Sequence, residues 1–197
     1  ERQTHYLQRV KHNVDRLTRI INQLLDWSRL DVGRVDIKPE SLQIDEFIRD
    51  VVESIQTLAA EKSIVLDILP SDQPITVRAD RDKLEQIIFN LVGNAIKFTP
   101  PSGHVTVSCS ICDANYAQIT VADTGCGIAP DQLPHVFTEF SKVESAMPTS
   151  QGAQLGLFIT KSLVALHGGQ MCVDSQLGAG TKFYFTLPLA PTPPSKP

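Results

Sequence analysis

From residue 41 onward, the predicted strands come in pairs that are adjacent in the chain, and helices separate the pairs. Helices are predicted at 45–59, from Asp80 to just before Pro100, and at 155–167, where apolar residues recur at helical spacing. Asp45 and Asp80 are the predicted N-caps of the first two helices. The strands are predicted at 64–69, 75–79, 104–112, 116–122, 170–174 and 181–187. Strand pairs that are adjacent in sequence demand a mixed, partly antiparallel sheet. This order predicts an α+β fold, a two-layer α/β sandwich whose mixed sheet packs on three helices.

A long bundle helix is predicted before this domain. An apolar seam with spacings of 3 and 4 is formed by Leu7, Val10, Val14, Leu17, Ile21 and Leu24. A second stripe, repeated every seven residues, widens it at Tyr6, Asn13, Ile20 and Trp27. The segment contains nothing for this helix to pack on, so we expect another helix, a second protomer or both to cover it. Gly33 and Pro39 predict its end.

Composition excludes several classes of protein. Lys and Arg number 18 against 22 Asp and Glu, which argues against a non-specific nucleic-acid binder. The sequence has no apolar stretch of membrane-spanning length and no signal peptide at its start. Among the 4 cysteines, Cys109 and Cys112 form a C-x-x-C on a predicted strand, where their side chains would face opposite sides. We therefore expect reduced cysteines and a cytoplasmic chain, which starts at Glu1 and looks like part of a longer protein.

One face of the second predicted helix is polar. Gln86, Asn90, Asn94 and Lys97 are spaced 4, 4 and 3 residues apart, opposite the apolar side. Such a stripe is usually a solvated face. Two amides and a lysine also suit a cleft that holds an anion, because amide oxygens can ligate a hard cation and lysine can neutralise phosphate.

Three glycine-containing segments carry further chemistry. Asp123-Thr-Gly-Cys-Gly-Ile follows a strand and offers a carboxylate acceptor that suits an exocyclic amine, although Asp-Thr-Gly is also a common tight turn. Gly152-Ala-Gln-Leu-Gly precedes a helix, whose N-terminal amides suit phosphate, or it is an ordinary flexible loop. Gly178-Ala-Gly-Thr-Lys-Phe alone would be a β-turn.

Taken together, in their order and spacing, these segments resemble the catalytic domain of sensor histidine kinases, in the ATPase superfamily shared with gyrase and MutL. DKLEQIIFNLVGNAIKFT is similar to the family's N box and DTGCGI to its G1 box. FTEF resembles the F box, GAQLGL the G2 box and GAGTKF the last glycine box. LLDWSRLDVG resembles the second helix of the dimerisation and phosphotransfer bundle. The resemblance implies domains at 1–38 (partial bundle) and 39–190 (ATP-binding), with a disordered tail at 191–197.

The resemblance also implies site residues. Asn94 would ligate Mg²⁺ on the ATP triphosphate, supported by Asn90, and Lys97 and Lys142 would contact phosphate. Asp123 would accept a hydrogen bond from the adenine amine, assisted through water by Thr181. The remaining residues are assigned to the base pocket (Phe98, Gly125, Gly127, Ile128), the anchoring of the lid at 141–153 (Phe137, Phe140) and the phosphate loop (Gly152, Leu155, Gly156).

The sequence departs from the family pattern at two points. Gln154 replaces the middle glycine of the G2 box and would weaken ATP binding by about 1–3 kcal/mol if it strains the backbone, unless the lid absorbs the change. The phosphoacceptor motif is absent, and His5 and His12 lack its context. We infer that the first bundle helix was cut away or comes from another chain. The fragment should bind nucleotide without phosphorylating itself.

Several functions are compatible with these motifs. The leading prediction is a kinase that transfers the ATP γ-phosphoryl group to a bundle histidine, with a response regulator and a homodimer as partners and without nucleic-acid or membrane contact by this chain. The alternative is a nucleotide-impaired pseudokinase that acts as a dimeric interaction module. A gyrase- or MutL-type ATPase carries Glu at the position of Asn90, where a general base is required, and Asn cannot take that proton. A serine-directed kinase of the anti-sigma type fits the catalytic domain but not the bundle helix.

Overall fold

The computed structural model describes residues 35–138 and 155–191, together with Val14, Thr18, Ile21, Leu25, Ser28 and Leu30. Its helices are α1 (Ile44–Glu61), α2 (Arg81–Phe98) and α3 (Gly156–Leu166). Its strands are β1 (Glu40–Gln43), β2 (Val65–Leu69), β3 (Thr76–Ala79), β4 (His104–Ile111), β5 (Tyr116–Asp123), β6 (Met171–Gln176) and β7 (Gly180–Pro188). A short 3₁₀ helix spans Leu133–His135.

The main sheet has five strands in the order β2-β4-β5-β7-β6. β2 runs parallel to β4, and the other neighbours are antiparallel, which confirms the predicted mixed sheet. The three helices contribute their apolar faces to one core with this sheet, as the two-layer prediction requires. The strands at 64–69 and 75–79 do not pair with each other. β3 instead pairs with β1 in a separate two-stranded sheet, and β2 pairs with β4.

The starts of α1 and α2 show one wrong prediction and one confirmed prediction. Asp45 does not cap α1, since the N-cap position is Gln43 and Asp45 lies in the first turn. Its carboxylate instead accepts hydrogen bonds from the backbone and hydroxyl of Ser71, which connects α1 to the loop after β2. Asp80 does cap α2, because its Oδ1 accepts from the backbone N–H of Lys83 at 3.1 Å.

Asp80 also joins α2 to two other parts of the chain. Its Oδ2 accepts from the backbone N–H of Lys38 at 2.7 Å, in the segment that leads into the domain. Its own N–H donates to Nε2 of the buried His167 at 3.0 Å, directly after α3. His167 Nδ1 lies 2.8 Å from the Leu163 carbonyl, so this nitrogen carries the proton and the ring is neutral. The segment around Lys38, the start of α2 and the end of α3 therefore meet at Asp80.

The six described positions of the N-terminal segment are all helical. Val14, Ile21 and Leu25 are each more than half exposed. The remaining residues of the predicted bundle helix, including Gly33, lie outside the described residues. No helix within the described residues is long and apolar enough to cross a membrane. All four cysteines are free, with Cys109 buried and Cys112 exposed.

Candidate functional site

The polar face of α2 is half-buried and faces α3. Asn90 Nδ2 donates to the hydroxyl of Thr160 at 2.8 Å, and that hydroxyl donates to the Gly156 carbonyl at 2.8 Å. A Cβ built on Gly156 would lie 2.5 Å from Asn90 Oδ1, so a larger residue there would displace the Asn90 side chain. The polar stripe of α2 is therefore a packed surface beside the start of α3 rather than a solvated face.

Asn94 lies one turn further along the same face. Its Nδ2 is buried and makes no hydrogen bond. Among the described residues, it is the only buried side-chain nitrogen or oxygen without a hydrogen-bond partner. A buried polar atom without a partner is costly, so it marks a place where a ligand would supply the missing interaction. An amide can turn to present either nitrogen or oxygen at one position, so Asn94 suits a ligand that offers an acceptor or a cation.

The C-terminal end of α2 supports the loop that carries the G1-like motif. The Phe98 carbonyl accepts from the backbone N–H of Cys126 at 3.3 Å. A Cβ on Gly125 would lie 2.6 Å from the same carbonyl, which explains the glycine there. The Lys97 ammonium lies 4.8 Å from the centre of the Phe98 ring, a cation–π contact. Lys97 and Phe98 thus stand at the point where α2 meets this loop.

Lys62, which follows α1, caps the C-terminal end of α2 with its side chain. Its Nζ donates to the Ile96 carbonyl at 2.8 Å and to the Lys97 carbonyl at 2.6 Å. These carbonyls have no partner inside the helix, and a cation at a helix C-terminus is favourable. Burial lowers the pKa of Lys62, partly offset by the charge of Cys126. No sequence pattern predicts this role, because a lysine directly after a helix is usually solvated.

Asp123 ends β5 directly opposite Thr181 of β7. Its Oδ1 accepts from the backbone N–H of Gly125 at 2.8 Å and from that of Thr181 at 3.3 Å. Burial raises the pKa of Asp123 although both N–H groups act in the opposite direction. A buried carboxylate that is stabilised only in part can accept a further hydrogen bond from a ligand.

Ser175 of β6 lies at the centre of a second set of contacts in this pocket. Its Oγ accepts from the Ile128 N–H at 2.9 Å, donates to the Gly180 carbonyl at 2.8 Å and lies 2.9 Å from Thr181 Oγ1. Sequence reasoning missed Ser175, because one serine in a strand has no distinctive spacing. Ser175 connects the loop after β5 to strands β6 and β7.

Gly127 has φ +66°, and a Cβ there would collide with the Gln176 carbonyl. The next turn of the loop is held by the Gly178 N–H, which donates to the Cys126 carbonyl at 2.8 Å. Gly127 is therefore required both by the left-handed conformation and by the close approach of β6.

Phe137 anchors the chain just before the undescribed segment 139–154. Its ring packs edge-on against Phe183, with centroids 6.1 Å apart, and the Lys161 ammonium lies 5.1 Å from its centre. Lys161 and Phe183 were not assigned to this contact from sequence, and the predicted anchoring of 141–153 stays a prediction. Phe140, Lys142, Gly152 and Gln154 lie outside the described residues, and Leu155 and Gly156 begin α3.

The predicted site residues that the structure describes thus fall into two connected groups. One group lies between α2 and α3, and the other surrounds the ends of β5, β6 and β7. α2 joins them, since its middle contacts α3 through Asn90 and its end contacts the G1-like loop through Phe98.

Comparisons with known proteins agree with this arrangement. Residues 79–191 match the family model described as histidine kinase-, DNA gyrase B-, and HSP90-like ATPase. The chain is 35% identical over 193 residues to the non-motile and phage-resistance protein of Caulobacter vibrioides, and the match covers 96% of this chain and 23% of that protein. It is 32% identical over 203 residues to the histidine protein kinase DivJ of the same organism, and the match covers 98% of this chain and 34% of DivJ.

Among solved structures, full-length ShkA in complex with AMPPNP superposes with a TM-score of 0.84 at 33% identity. That match covers 98% of this chain and 40% of ShkA. The chain therefore spans well under half the length of these relatives. The family match extends from the residue before Asp80 to the end of the sheet and includes both groups of site residues. The chain belongs to the histidine kinase-, DNA gyrase B- and HSP90-like ATPase family and carries the ATPase domain of a histidine kinase.

Proposed function

We propose that this chain binds ATP with Mg²⁺ and transfers the γ-phosphoryl group to a histidine on a bundle helix that the sequence does not contain. The observation that carries the proposal is the position of α2. Its middle lies against Gly156 and Thr160 of α3, and its end supports the loop of Gly125 and Cys126. One helix thus borders both groups of predicted site residues.

The base pocket has the chemistry that adenine requires. The Asp123 carboxylate would accept from the exocyclic amine, and Thr181 would assist through water. Gly125, Gly127 and Ile128 would lie close to the ring because the first two carry no Cβ. Phe98 would pack against it. ShkA, at 33% identity, is described in complex with AMPPNP, which supports an ATP-like ligand here.

The phosphate end would be formed by α2 and the start of α3. The backbone amides of Gly152, Leu155 and Gly156 would face phosphate at a helix N-terminus, where the dipole is favourable. Lys97 and Lys142 would neutralise phosphate charge, and Asn90 would orient the phosphate beside Gly156. Phosphoryl transfer depends mainly on such positioning and neutralisation.

The residues present fit a magnesium ion at Asn94. The unpartnered amide on this face can present its oxygen, which is a ligand that Mg²⁺ accepts. Bound there, Mg²⁺ would supply charge neutralisation and orientation at the triphosphate.

We also propose a role for each segment of the chain. Residues 1–38 would form the second helix of a dimerisation bundle, 39–190 the ATP-binding domain and 191–197 a disordered tail. A homodimer through the bundle and the receiver domain of a response regulator would be the partners. This chain would act in the cytoplasm, without contact to nucleic acid or membrane.

The test is incubation of the chain with γ-labelled ATP and Mg²⁺, together with a fragment that supplies the first bundle helix and its histidine. Label on that histidine supports the proposal, and Asn94→Leu, which keeps a similar size but offers no ligand oxygen, should remove both binding and transfer. The chain would not be a nucleotide-dependent kinase if calorimetry detects no Mg²⁺-ATP binding.

A second candidate function is a pseudokinase that serves as a dimeric interaction module. Gln154 favours it, because this residue stands where the family pattern has a glycine in the phosphate loop. Gln154→Gly would then restore ATP binding that the unmodified chain lacks. Binding without transfer in the complemented reaction would also favour this candidate.

A further inference from the structure

We propose that Ser175 is a specificity-determining positioning residue, which fixes the hydroxyl of Thr181 so that the base pocket presents only acceptors and selects 6-amino over 6-oxo purines. This inference rests on the proposed nucleotide function. It concerns a residue outside the motifs that the sequence singled out. Its basis is a hydrogen count in the contacts around Ser175.

Ser175 Oγ has three close polar neighbours and one hydrogen. The Ile128 N–H can only donate to it, at 2.9 Å, and the Gly180 carbonyl can only accept from it, at 2.8 Å. The single Ser175 hydrogen is therefore used by Gly180. The third contact, 2.9 Å to Thr181 Oγ1, is a hydrogen bond only if Thr181 is the donor. One arrangement of hydrogens satisfies all three contacts.

As a consequence, the Thr181 hydroxyl can act only as a hydrogen-bond acceptor toward a ligand. Its hydroxyl hydrogen points to Ser175, its direct partner across β6 and β7, so the remaining lone pairs of Oγ1 can only accept. Thr181 is buried, so water does not readily reorient this hydroxyl.

Asp123 adds a second acceptor beside it, directly across β5 and β7. Within the described part of the chain, both hydrogen bonds to the Asp123 carboxylate reach Oδ1, so Oδ2 keeps its lone pairs for a ligand. Asp123 Oδ2 and Thr181 Oγ1 are therefore both hydrogen-bond acceptors. They can bind a ligand group that donates hydrogen bonds, such as an amine, or a water molecule.

A 6-amino purine meets this requirement, whereas a 6-oxo purine brings a carbonyl oxygen to Asp123 Oδ2. A bridging water that donates to Thr181 can also donate to N1 of adenine, which is an acceptor. The same water can accept from the N1–H of hypoxanthine, so the discrimination arises at position 6, where the fixed Thr181 hydroxyl cannot donate to the 6-oxo oxygen. Loss of Ser175 would free the Thr181 hydroxyl to rotate and donate, which weakens this discrimination.

The experiment compares ATP with ITP, which differs only in the amine and its 6-oxo replacement. Dissociation constants are measured with Mg²⁺ by competition against a fluorescent ATP analogue, using the whole chain. We expect the unmodified chain to prefer ATP by about 100-fold or more, since buried polar groups left unpaired discriminate strongly. In Ser175→Ala this preference should fall about tenfold, the effect of one hydrogen bond of about 1.4 kcal/mol.

Controls separate specificity from folding. Ser110→Ala, an exposed serine on β4, should keep the ratio of the unmodified chain. An unchanged ratio in Ser175→Ala, or equal losses for ATP and ITP, would overturn the inference. If Ser175→Ala does not fold, Ser175→Cys decides instead, because the thiol keeps the size of the side chain but is a weak hydrogen-bond acceptor and should lower the same ratio. Failure of the unmodified chain to bind ATP would contradict the proposed function rather than the role of Ser175.

Discussion

Asn90 on α2 donates its Nδ2 hydrogen to the hydroxyl of Thr160 on α3, at 2.8 Å. Thr160 is almost fully buried and passes its own hydrogen to the Gly156 carbonyl, at 2.8 Å. The Asn90 side chain is therefore held in one orientation by a residue that has no place in the family's glycine motifs. Since Asn90 contacts the start of α3, the two helices that border the proposed phosphate site are coupled through this pair.

Thr160→Val should lower ATP affinity about tenfold, while Thr160→Ser should stay close to the unmodified chain. Valine keeps the shape but leaves the Asn90 donor without its partner, at a cost of about 1–3 kcal/mol. Serine keeps the hydroxyl, so it tests the hydrogen bond rather than packing. The measurement is Mg²⁺-ATP titration by calorimetry. Equal affinities for the valine variant and the unmodified chain would show that this contact does not position Asn90.

The sequence predicted those parts of the fold that depend on local periodicity. The helices at 45–59 and 155–167 and the antiparallel partners at 104–112 and 116–122 are found close to their predicted bounds. The pairing of β1 with β3 and the parallel β2–β4 pair were not predicted. Both depend on contacts between distant segments, which local spacing does not encode.

The site shows the same division. Asn90, Asn94, Asp123 and Gly125 could be found because each stands in a motif with fixed spacing. Ser175, Thr160 and Lys62 could not, because each acts through a partner on another element and is a common residue type in its own segment. Asp45 was misplaced because its carboxylate bonds to Ser71, a tertiary contact that replaces the predicted cap.

Asp123→Asn should weaken ATP binding by about 10- to 100-fold and raise the melting temperature. The amide oxygen can still accept from Gly125 and Thr181, but the nitrogen now presents hydrogens to the adenine amine, and a charge-assisted bond of about 1.5–3 kcal/mol is lost. The stability gain follows from the raised pKa of Asp123, since burial makes the ionised form unfavourable at neutral pH. Calorimetry and thermal unfolding at pH 7 measure the two effects. A variant that binds ATP normally would remove Asp123 from the base pocket.

Asp80 should make the stability of the domain depend on pH in the acidic range. Burial raises its pKa, but the N–H groups of Lys38 and Lys83 and the positive charge of Lys83 outweigh burial, and the net pKa lies below the ordinary 3.8. A lowered folded-state pKa gives stability that is present above the unfolded value and is lost as pH falls toward the folded value.

The comparison that isolates this contribution is Asp80→Asn, which keeps an acceptor for the helix cap but cannot ionise. Urea unfolding between about pH 6 and pH 3 should show a smaller loss of stability for this variant than for the unmodified chain. Asp80→Ala, which removes the cap, should cost a further 1 kcal/mol or so at every pH. Parallel pH profiles for the asparagine variant and the unmodified chain would contradict the role of the ionised carboxylate.

Two glycines in the site region should respond to alanine in opposite directions. Gly93 lies inside α2 with open space around its Cα, so Gly93→Ala should raise the free energy of unfolding by about 0.5–1 kcal/mol through helix propensity.

Gly127→Ala should lower the free energy of unfolding by about 2 kcal/mol or more. Its φ of +66° costs about 1–2 kcal/mol for alanine, and the new Cβ would collide with the Gln176 carbonyl, next to Ser175. Relief of that collision would move the end of β6, so ATP affinity should fall together with stability in Gly127→Ala. Urea unfolding and ATP titration of both variants check this, and a Gly127→Ala chain as stable as the unmodified one would show that the loop does not need the left-handed conformation.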